Sequence, residues 1–380
     1  MNFQFTEEHL MIRDTARKFA EEELAASAAE RDEKEEFPGE AVKKLGELGF
    51  MGMMVPAAYG GAELDTVSYV LAMEEIAKVD ASAAVIMSVN NSLVCDGINE
   101  WGTEDQKQRF LVSLAGGTLL GAFALSEPEA GSDASNQRTT AARDGDTYVL
   151  NGTKNFITNG LHANVVLVFA ATDRSKGPHG VSAFLVEKET PGFSVAKKER
   201  KLGIRSSDTV SLAFEDARVP AANRLGEEGQ GFRIAMKTLD GGRIGIAAQA
   251  LGIAQASLEA SVLYSKQRKA FEHPIAEFQA IQFKLADMAT EIEAARLLTL
   301  SAAAKKDAGQ RYTEAAAMAK LAASKTAVKS SLDAVQIYGG YGYLKDFPVE
   351  RYLRDSKITE IYEGTSEVQR LVIARALLRV

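Results

Sequence analysis

Along the first third of the chain, apolar positions recur at the spacing of helices. Between Thr6 and Arg31, the residues Leu10, Ala16, Phe19, Ala20 and Leu24 fall at helical intervals. Glu7 and Glu8 stand where they oppose the helix dipole, and Thr6 is placed to cap the first turn. Further helices are predicted over 38–49, 66–79, 81–100 and 104–114, punctuated by Pro56 and Gly60-Gly61. The pattern changes near Leu119. From there to about Arg224 the chain is rich in Val, Phe and Thr, and the runs 148–150, 165–169, 181–186 and 210–214 read as strands. Asp144-Gly145, Asn151-Gly152 and Pro191-Gly192 read as turns. After Gly231 the helical pattern returns, over 231–266, 275–307, 313–339, 348–355 and 364–379, with Gly339-Gly340-Tyr341-Gly342 ending one helix in a loop.

This order predicts an α+β multidomain chain: an N-terminal α-helical domain over 1–118, a central antiparallel β-barrel or sandwich domain over 119–226, and a C-terminal four-helix-bundle domain over 227–380. A chain of 380 residues exceeds what one core usually serves, so several packed units with room for a large cofactor are expected.

Composition narrows the function classes. Hydrophobic residues make up 46% and charged residues 25%, the balance of an ordinary globular protein. The net charge of −8 comes without any basic block, which argues against nucleic acid as a partner. Cys95 is the single cysteine, so neither an intrachain disulfide nor a cysteine-based metal cage is available, and His9, His162, His179 and His273 are scattered. No metal site is expected. The acidic N-terminus resembles neither a transit peptide nor a signal sequence, and apolar stretches such as 81–89 look too short to span a bilayer. A cytoplasmic protein in a reducing compartment is expected.

Six segments carry more specific information. They are Leu125-Ser126-Glu127-Pro128-Glu129-Ala130-Gly131-Ser132-Asp133, the run Gly152 to Gly160, the run Leu239 to Ala247, Gln267-Arg268-Lys269-Ala270-Phe271, Asp333 to Gly340, and Thr359-Glu360-Ile361-Tyr362-Glu363-Gly364-Thr365-Ser366-Glu367-Val368-Gln369-Arg370. Together, and in this order, they resemble the signatures of the acyl-CoA dehydrogenases, with the greatest likeness to the short-chain, or butyryl-CoA, members. The resemblance covers essentially the whole chain. It implies an FAD-dependent enzyme that forms a trans-2-enoyl-CoA from a short acyl-CoA, passes electrons to an electron-transferring flavoprotein, and assembles as a homotetramer. A dehydrogenase for a short branched acyl group, or a flavin acyl-CoA oxidase on the same fold, is the alternative. A scaffold that has lost its chemistry is a further one.

By position alone, Glu363 reads as an acid before a helix, where Glu is common. The resemblance makes it the base that removes the α-proton, a task suited to a carboxylate raised towards neutrality in an apolar cavity. One subfamily, similar to isovaleryl-CoA dehydrogenase, carries its base instead at the position matching Gly242, which here has no side chain. The resemblance further assigns Asp240 and Arg243 to the CoA arm, although they also read as an i, i+3 surface ion pair. Ser132, Glu363 and Gly364 fall on the substrate side as well. Gln249 and Thr359 match residues that narrow the acyl tunnel, which favours a C4 chain.

No GxGxxG follows a strand, so FAD is implied by the resemblance alone. It places Leu125, Ser126, Gly131, Ser132, Phe156, Ile157 and Thr158 beside the flavin, with Arg268, Phe271, Gln279, Gln336, Gly339, Gly340, Thr365 and Glu367 at the remaining FAD positions, some reaching a neighbouring subunit's cofactor. Phe156 and Ile157 otherwise read as core strand residues, and the glycines at 339, 340 and 342 as a helix cap. Glu129 and Glu272 depart from the family pattern.

Overall fold

The structure is a computed structural model that describes residues 4–378. The first block is helical: α1 (Glu7–Phe19), α2 (Ala28–Lys34), α3 (Gly39–Glu47), α4 (Thr66–Val79), α5 (Ala81–Ser88), α6 (Asp96–Trp101), α7 (Glu104–Gln106) and α8 (Val112–Ala115). Thr6 caps α1 as expected. Its hydroxyl accepts from the His9 amide and the His9 ring accepts from the Thr6 amide, so a histidine closes the capping box.

The single helix predicted over 6–31 is broken. A π-helical segment, Ala20–Leu24, follows α1, and the chain turns before α2. The turn lets Arg31 reach back to the Leu24 carbonyl and, at 2.7 Å, to buried Asp80. A buried guanidinium with both partners outweighs helix continuity. A second π-helical segment, Val89–Cys95, joins α5 to α6. It carries Asn90 and Asn91, both buried. Asn91 bonds the Phe50 and Met87 carbonyls and the Met53 amide, while Asn90 bonds the Met51 and Leu114 carbonyls and the Gly121 amide. The two amides thus tie the helical block to the first strand of the sheet.

The β block contains β1 (Gly121–Ala124), β2 (Thr140–Asp144), β3 (Thr147–Thr158), β4 (Val165–Ala171), β5 (Val181–Glu187), β6 (Phe193–Lys198), β7 (Thr209–Pro220) and β8 (Arg224–Leu225). They form one sheet in the order β6-β7-β3-β2-β4-β5-β8, with β1 also on β4. Pairing is antiparallel except that β1, and one residue of β2, run parallel to β4. The expected turn at Asn151-Gly152 is absent, because β3 continues through it. A register shift lies there instead, and a Cβ at Gly152 would stand 2.5 Å from the Thr139 hydroxyl. The glycine serves a bulge with close backbone approach, a use that shares its sequence signal with a hairpin turn.

The third block comprises α9 (Gly231–Gln267), the short hairpin β9 (Lys269–Ala270) and β10 (His273–Pro274), then α10 (Gln279–Asp307), α11 (Thr313–Tyr338), α12 (Val349–Ile358) and α13 (Ser366–Leu378). Helix α10 starts later than predicted, since 275–277 form a 3-10 turn and Phe278 is extended. Glycines let α9 lie close to α4 and α5: a Cβ at Gly252 would meet the Glu74 carbonyl at 2.5 Å, and one at Gly245 would meet the Ser88 and Tyr69 hydroxyls at 2.6 Å.

Two helical stretches, Ala81–Trp101 and Gly231–Gln267, are long and apolar enough to cross a membrane, contrary to the expectation from local runs. Both are core helices, with 94% and 67% of their apolar windows buried in the fold. Exposed large apolar side chains cluster on the third block, including Leu263, Phe271, Phe283, Leu332, Tyr343 and Leu371.

Candidate active site

The segment between α12 and α13 carries Glu363 to the meeting point of all three blocks. An apolar cluster there joins Val85, Val89 and Leu93 of the first block, Phe123 and Ile204 of the second, and Ile246, Ile253, Tyr352, Ile358 and Tyr362 of the third. Glu363 has φ +52 and Gly364 φ +94, two consecutive left-handed residues. For a non-glycine residue that conformation costs about 1–3 kcal/mol and is held only where its surroundings dictate it. The turn is fixed from outside: buried Gln369 donates to the Gly364 carbonyl at 2.8 Å and to the Glu363 carbonyl at 3.4 Å, and buried Lys320 donates to the Gly364 carbonyl at 2.7 Å. Thr365 caps α13, accepting from the Val368 amide.

The Glu363 residue retains some exposed surface, but Oε2 is shielded from water and has no hydrogen-bond partner among the described residues. Burial pushes its carboxyl up to about 7, against the opposing pull of the Lys320 and Arg243 charges. Its backbone N–H makes no hydrogen bond among the described residues. The site therefore presents a poised carboxylate beside an unused N–H donor. The carboxylate lies against Gly242 of α9: a Cβ there would fall 2.1 Å from Oε2 and 2.8 Å from Leu93 Cδ2. A side chain at 242 and the present carboxylate position exclude each other.

Asp240 and Arg243 do pair, at 2.6 Å, but the pair is buried, and Thr313 donates to the second carboxylate oxygen of Asp240 at 2.6 Å. They line a cleft of about 550 Å³ with Trp101, Arg233, Lys237 and Thr313. With Glu100 the cleft combines five charged side chains, three basic and two acidic, with apolar walls, and the Arg243 Nε has no partner among the described residues. Gln249 sits two turns further along α9, about 10 Å from Gly242 at the rise of a helix. It is buried, donates to the Ala81 carbonyl at 2.7 Å and accepts from the Tyr362 hydroxyl. Thr359 is buried too, its hydroxyl satisfied by the Ser356 carbonyl.

The β-block residues fall into two sets. Phe156 is 67% exposed at φ +61, while Ile157 is turned into the core of the sheet, where its side chain packs with Val210 and Leu212. Ile157 cannot present its side chain to a ligand as the resemblance implied. Gly131 and Ser132 are exposed, with open space around Gly131, and Ser126 and Thr158 are partly buried. An exposed aromatic, small residues with open backbone, and the unpartnered buried Oδ1 of Asn155 suit a planar cofactor with an anionic arm.

Sequence reasoning missed what holds this surface together. Lys154 is fully buried and donates to Glu127 at 2.6 Å, to the Leu125 carbonyl at 3.2 Å and to Gln137; Glu127 in turn accepts from the Arg138 and Thr139 amides. The ammonium links the 125–139 loop to β3 just before Phe156. Lys154→Met would leave the Glu127 carboxylate buried and unpaired, which typically costs about 3–5 kcal/mol. We expect this variant to lose FAD on gel filtration and to show a lowered Tm; a fully yellow, equally stable protein would contradict that role.

Arg268, Gly339 and Gly340 gather at a separate cleft of about 420 Å³ with Tyr264, Tyr338 and Tyr341. Phe271, Gln279, Gln336 and Glu367 are exposed. Phe271 and Glu272 form the two-residue turn between β9 and β10, both left-handed, which explains why a glycine suits position 272. Glu129 forms an exposed pair with Arg138. Along α11, Lys320 and Tyr338 are about 27 Å apart at 1.5 Å per residue. Of the residues assigned to FAD, Arg268, Gly339 and Gly340 line this separate cleft.

The helix–sheet–helix order, with a strained carboxylate loop where the blocks meet, defines the class of protein. Models of the acyl-CoA dehydrogenase N-terminal, middle and C-terminal domains match residues 6–118, 122–217 and 229–378, and the chain belongs to the acyl-CoA dehydrogenase family. It is 56% identical over 376 residues to the mitochondrial short-chain specific acyl-CoA dehydrogenase of Bos taurus, covering 99% of this chain and 91% of that one. Butyryl-CoA dehydrogenase from Megasphaera elsdenii superposes with a TM-score of 0.98 at 52% identity, covering all of both chains. A chain from a structure of the electron transferring flavoprotein of Acidaminococcus fermentans, in work towards a mechanism of flavin-based electron bifurcation, superposes with a TM-score of 0.99 at 54% identity, again over all of both.

Proposed function

We propose that this protein is an FAD-dependent short-chain acyl-CoA dehydrogenase in which Glu363 removes the α-proton of the acyl thioester. The observation that carries this reading is the Glu363 carboxylate: shielded, unpartnered at Oε2 and raised to about 7. A base with a pKa near the working pH combines the right protonation state with sufficient basicity. The free N–H of Glu363 donates to the thioester oxygen as negative charge develops there, an oxyanion-hole arrangement that needs no basic side chain at the carbonyl. FAD, when bound, supplies the hydride acceptor for the hydrogen leaving Cβ, so that proton and hydride depart as the double bond forms. Ser126, Gly131, Ser132, Phe156 and Thr158 would hold it. Arg243, with Arg233 and Lys237 in the adjoining cleft, offers positive charge to the phosphates of the CoA arm.

Acyl length follows from the bridge between Tyr362 and Gln249. A long alkyl tail would have to displace a buried amide from its partners, at a cost of about 1–3 kcal/mol. Anaerobic titration of the yellow protein with saturated acyl-CoAs of graded length is expected to bleach the flavin most with butyryl-CoA. A stronger response to octanoyl-CoA or isovaleryl-CoA would reject the short linear specificity. Peroxide formed at the turnover rate, with no gain from an electron-transferring flavoprotein, would instead identify an oxidase.

The same reading makes the protein a cytoplasmic homotetramer with domains over 1–118, 119–226 and 227–380, in which Arg268, Phe271, Gln279, Gln336, Gly339 and Gly340 reach a neighbour's FAD. Phe271 is 89% exposed, and such a ring at a hairpin tip is suited to a partner surface.

A further inference from the structure

Lys320 enters the site from α11, a helix whose first residue, Thr313, holds Asp240. It lies on α11 among Ala316, Ala317, Ala319 and Ala323, all fully buried, and its own residue has no exposed surface. Burying an ammonium is costly unless it is paired. Lys320 nevertheless has no carboxylate in hydrogen-bond contact; its one protein acceptor among the described residues is the Gly364 carbonyl at 2.7 Å. Its charge is therefore not neutralised at contact distance. The strongest charge acting on it is that of Glu363, and the interaction is reciprocal.

We propose that Lys320 is a positioning residue for the reaction, its buried ammonium holding the left-handed Glu363-Gly364 turn and supplying positive charge that favours the ionised carboxylate in the resting site. This rests on the reading of Glu363 as the base. Gln369 grips the same carbonyl from α13 but brings no charge, so the two tethers are not equivalent. The other groups facing the carboxylate are Arg243 on α9, which also favours ionisation, and the Tyr69 and Tyr362 hydroxyls, which burial keeps neutral. Glu360 and Glu367 act on Lys320 from the side of the turn. Burial lowers the Lys320 ammonium only to about 8, so it remains charged at pH 7.

The test is the pH profile of single-turnover flavin bleaching by butyryl-CoA, in holoenzyme carrying Lys320→Met or Lys320→Arg. Without the positive charge the carboxylate ionises at higher pH. The acid limb of Lys320→Met is expected about one pH unit above wild type, a loss of about fivefold at pH 7, as for removal of a nearby opposite charge. Lys320→Arg restores the wild-type limb. The carboxyl band in the infrared difference between Lys320→Met and Lys320→Met/Glu363→Gln should titrate at the same displaced pH, a readout independent of turnover. A loss equal at every pH, or a profile superimposed on wild type, overturns the proposal. Should Glu363→Gln itself still bleach with substrate, the base assignment fails instead, and the two failures are distinguishable.

Discussion

Glu363→Gln is expected to bind FAD and butyryl-CoA as wild type does and to lose reduction of the flavin by substrate, by about 10⁴-fold or more in the single-turnover rate. General bases typically contribute about 10²–10⁴-fold. The loss here lies at or beyond the upper end, because among the described residues no second carboxylate stands against Gly242 and the neighbouring Lys320, lowered to about 8, is already protonated at pH 7. The amide preserves the shape of the side chain and leaves the 363 N–H in place, which separates loss of the base from loss of binding. Bleaching at an undiminished rate would move the base elsewhere.

The same variant carries a stability signature. The Glu363 carboxyl titrates near 7 in the folded protein against an ordinary value of 4.5. The unfolded chain releases this proton first, so wild type loses stability as pH rises from about 4.5 to 7, by up to about 3 kcal/mol in all. Below 4.5 the carboxyl is neutral in both states and the loss vanishes. Glu363→Gln has no such ionisation. Its Tm should equal that of wild type at pH 4 and exceed it at pH 8, whereas a gap that widened towards acid would contradict the raised carboxyl.

Gly242→Ala is expected to slow the reaction severely while leaving the fold intact. A Cβ at 242 would fall 2.1 Å from Glu363 Oε2 and 2.8 Å from Leu93 Cδ2, and contacts below 3.0 Å force something to move. Helix α9 cannot shift, since Gly245 and Gly252 already hold it against α4 and α5. The mobile partner is the carboxylate, so the methyl group displaces the base from the acyl chain. Misplacing a catalytic group by about 1 Å can cost about 10²-fold. Gly242→Ala should therefore keep its FAD and its fold, judged by flavin absorbance and Tm, while bleaching with butyryl-CoA slows at least 100-fold. Near-wild-type bleaching would show that the carboxylate can reach the substrate from another rotamer.

The elements were legible in the sequence to different degrees. Helices such as α4 and α11 were placed within a residue or so, because a long apolar face with capping residues leaves few alternatives. The helix over 6–31 and the turn at Asn151-Gly152 were misread for one reason: what decides them lies far away in sequence. Asp80 breaks the first by pairing with Arg31, and Thr139 lies so close to Gly152 that it needs no side chain there. Parallel strand β1 and edge strand β6 carried too little apolar alternation to be called.

For the site, the sequence by itself determined the family, the order of helix, sheet and helix, and the candidate carboxylate, because these reside in contiguous motifs and in periodicity. Only the tertiary structure decided that Glu363 is dry, strained and seated against Gly242, that Ile157 faces the core, and that Lys320, Lys154 and Gln369 hold the loops. One of three lysines in an alanine-rich helix and a glutamine in an apolar one look like surface residues in sequence. Their burial, and the carbonyls they reach, exist only once segments from separate blocks have packed, since desolvation and hydrogen-bond geometry are properties of the space between elements.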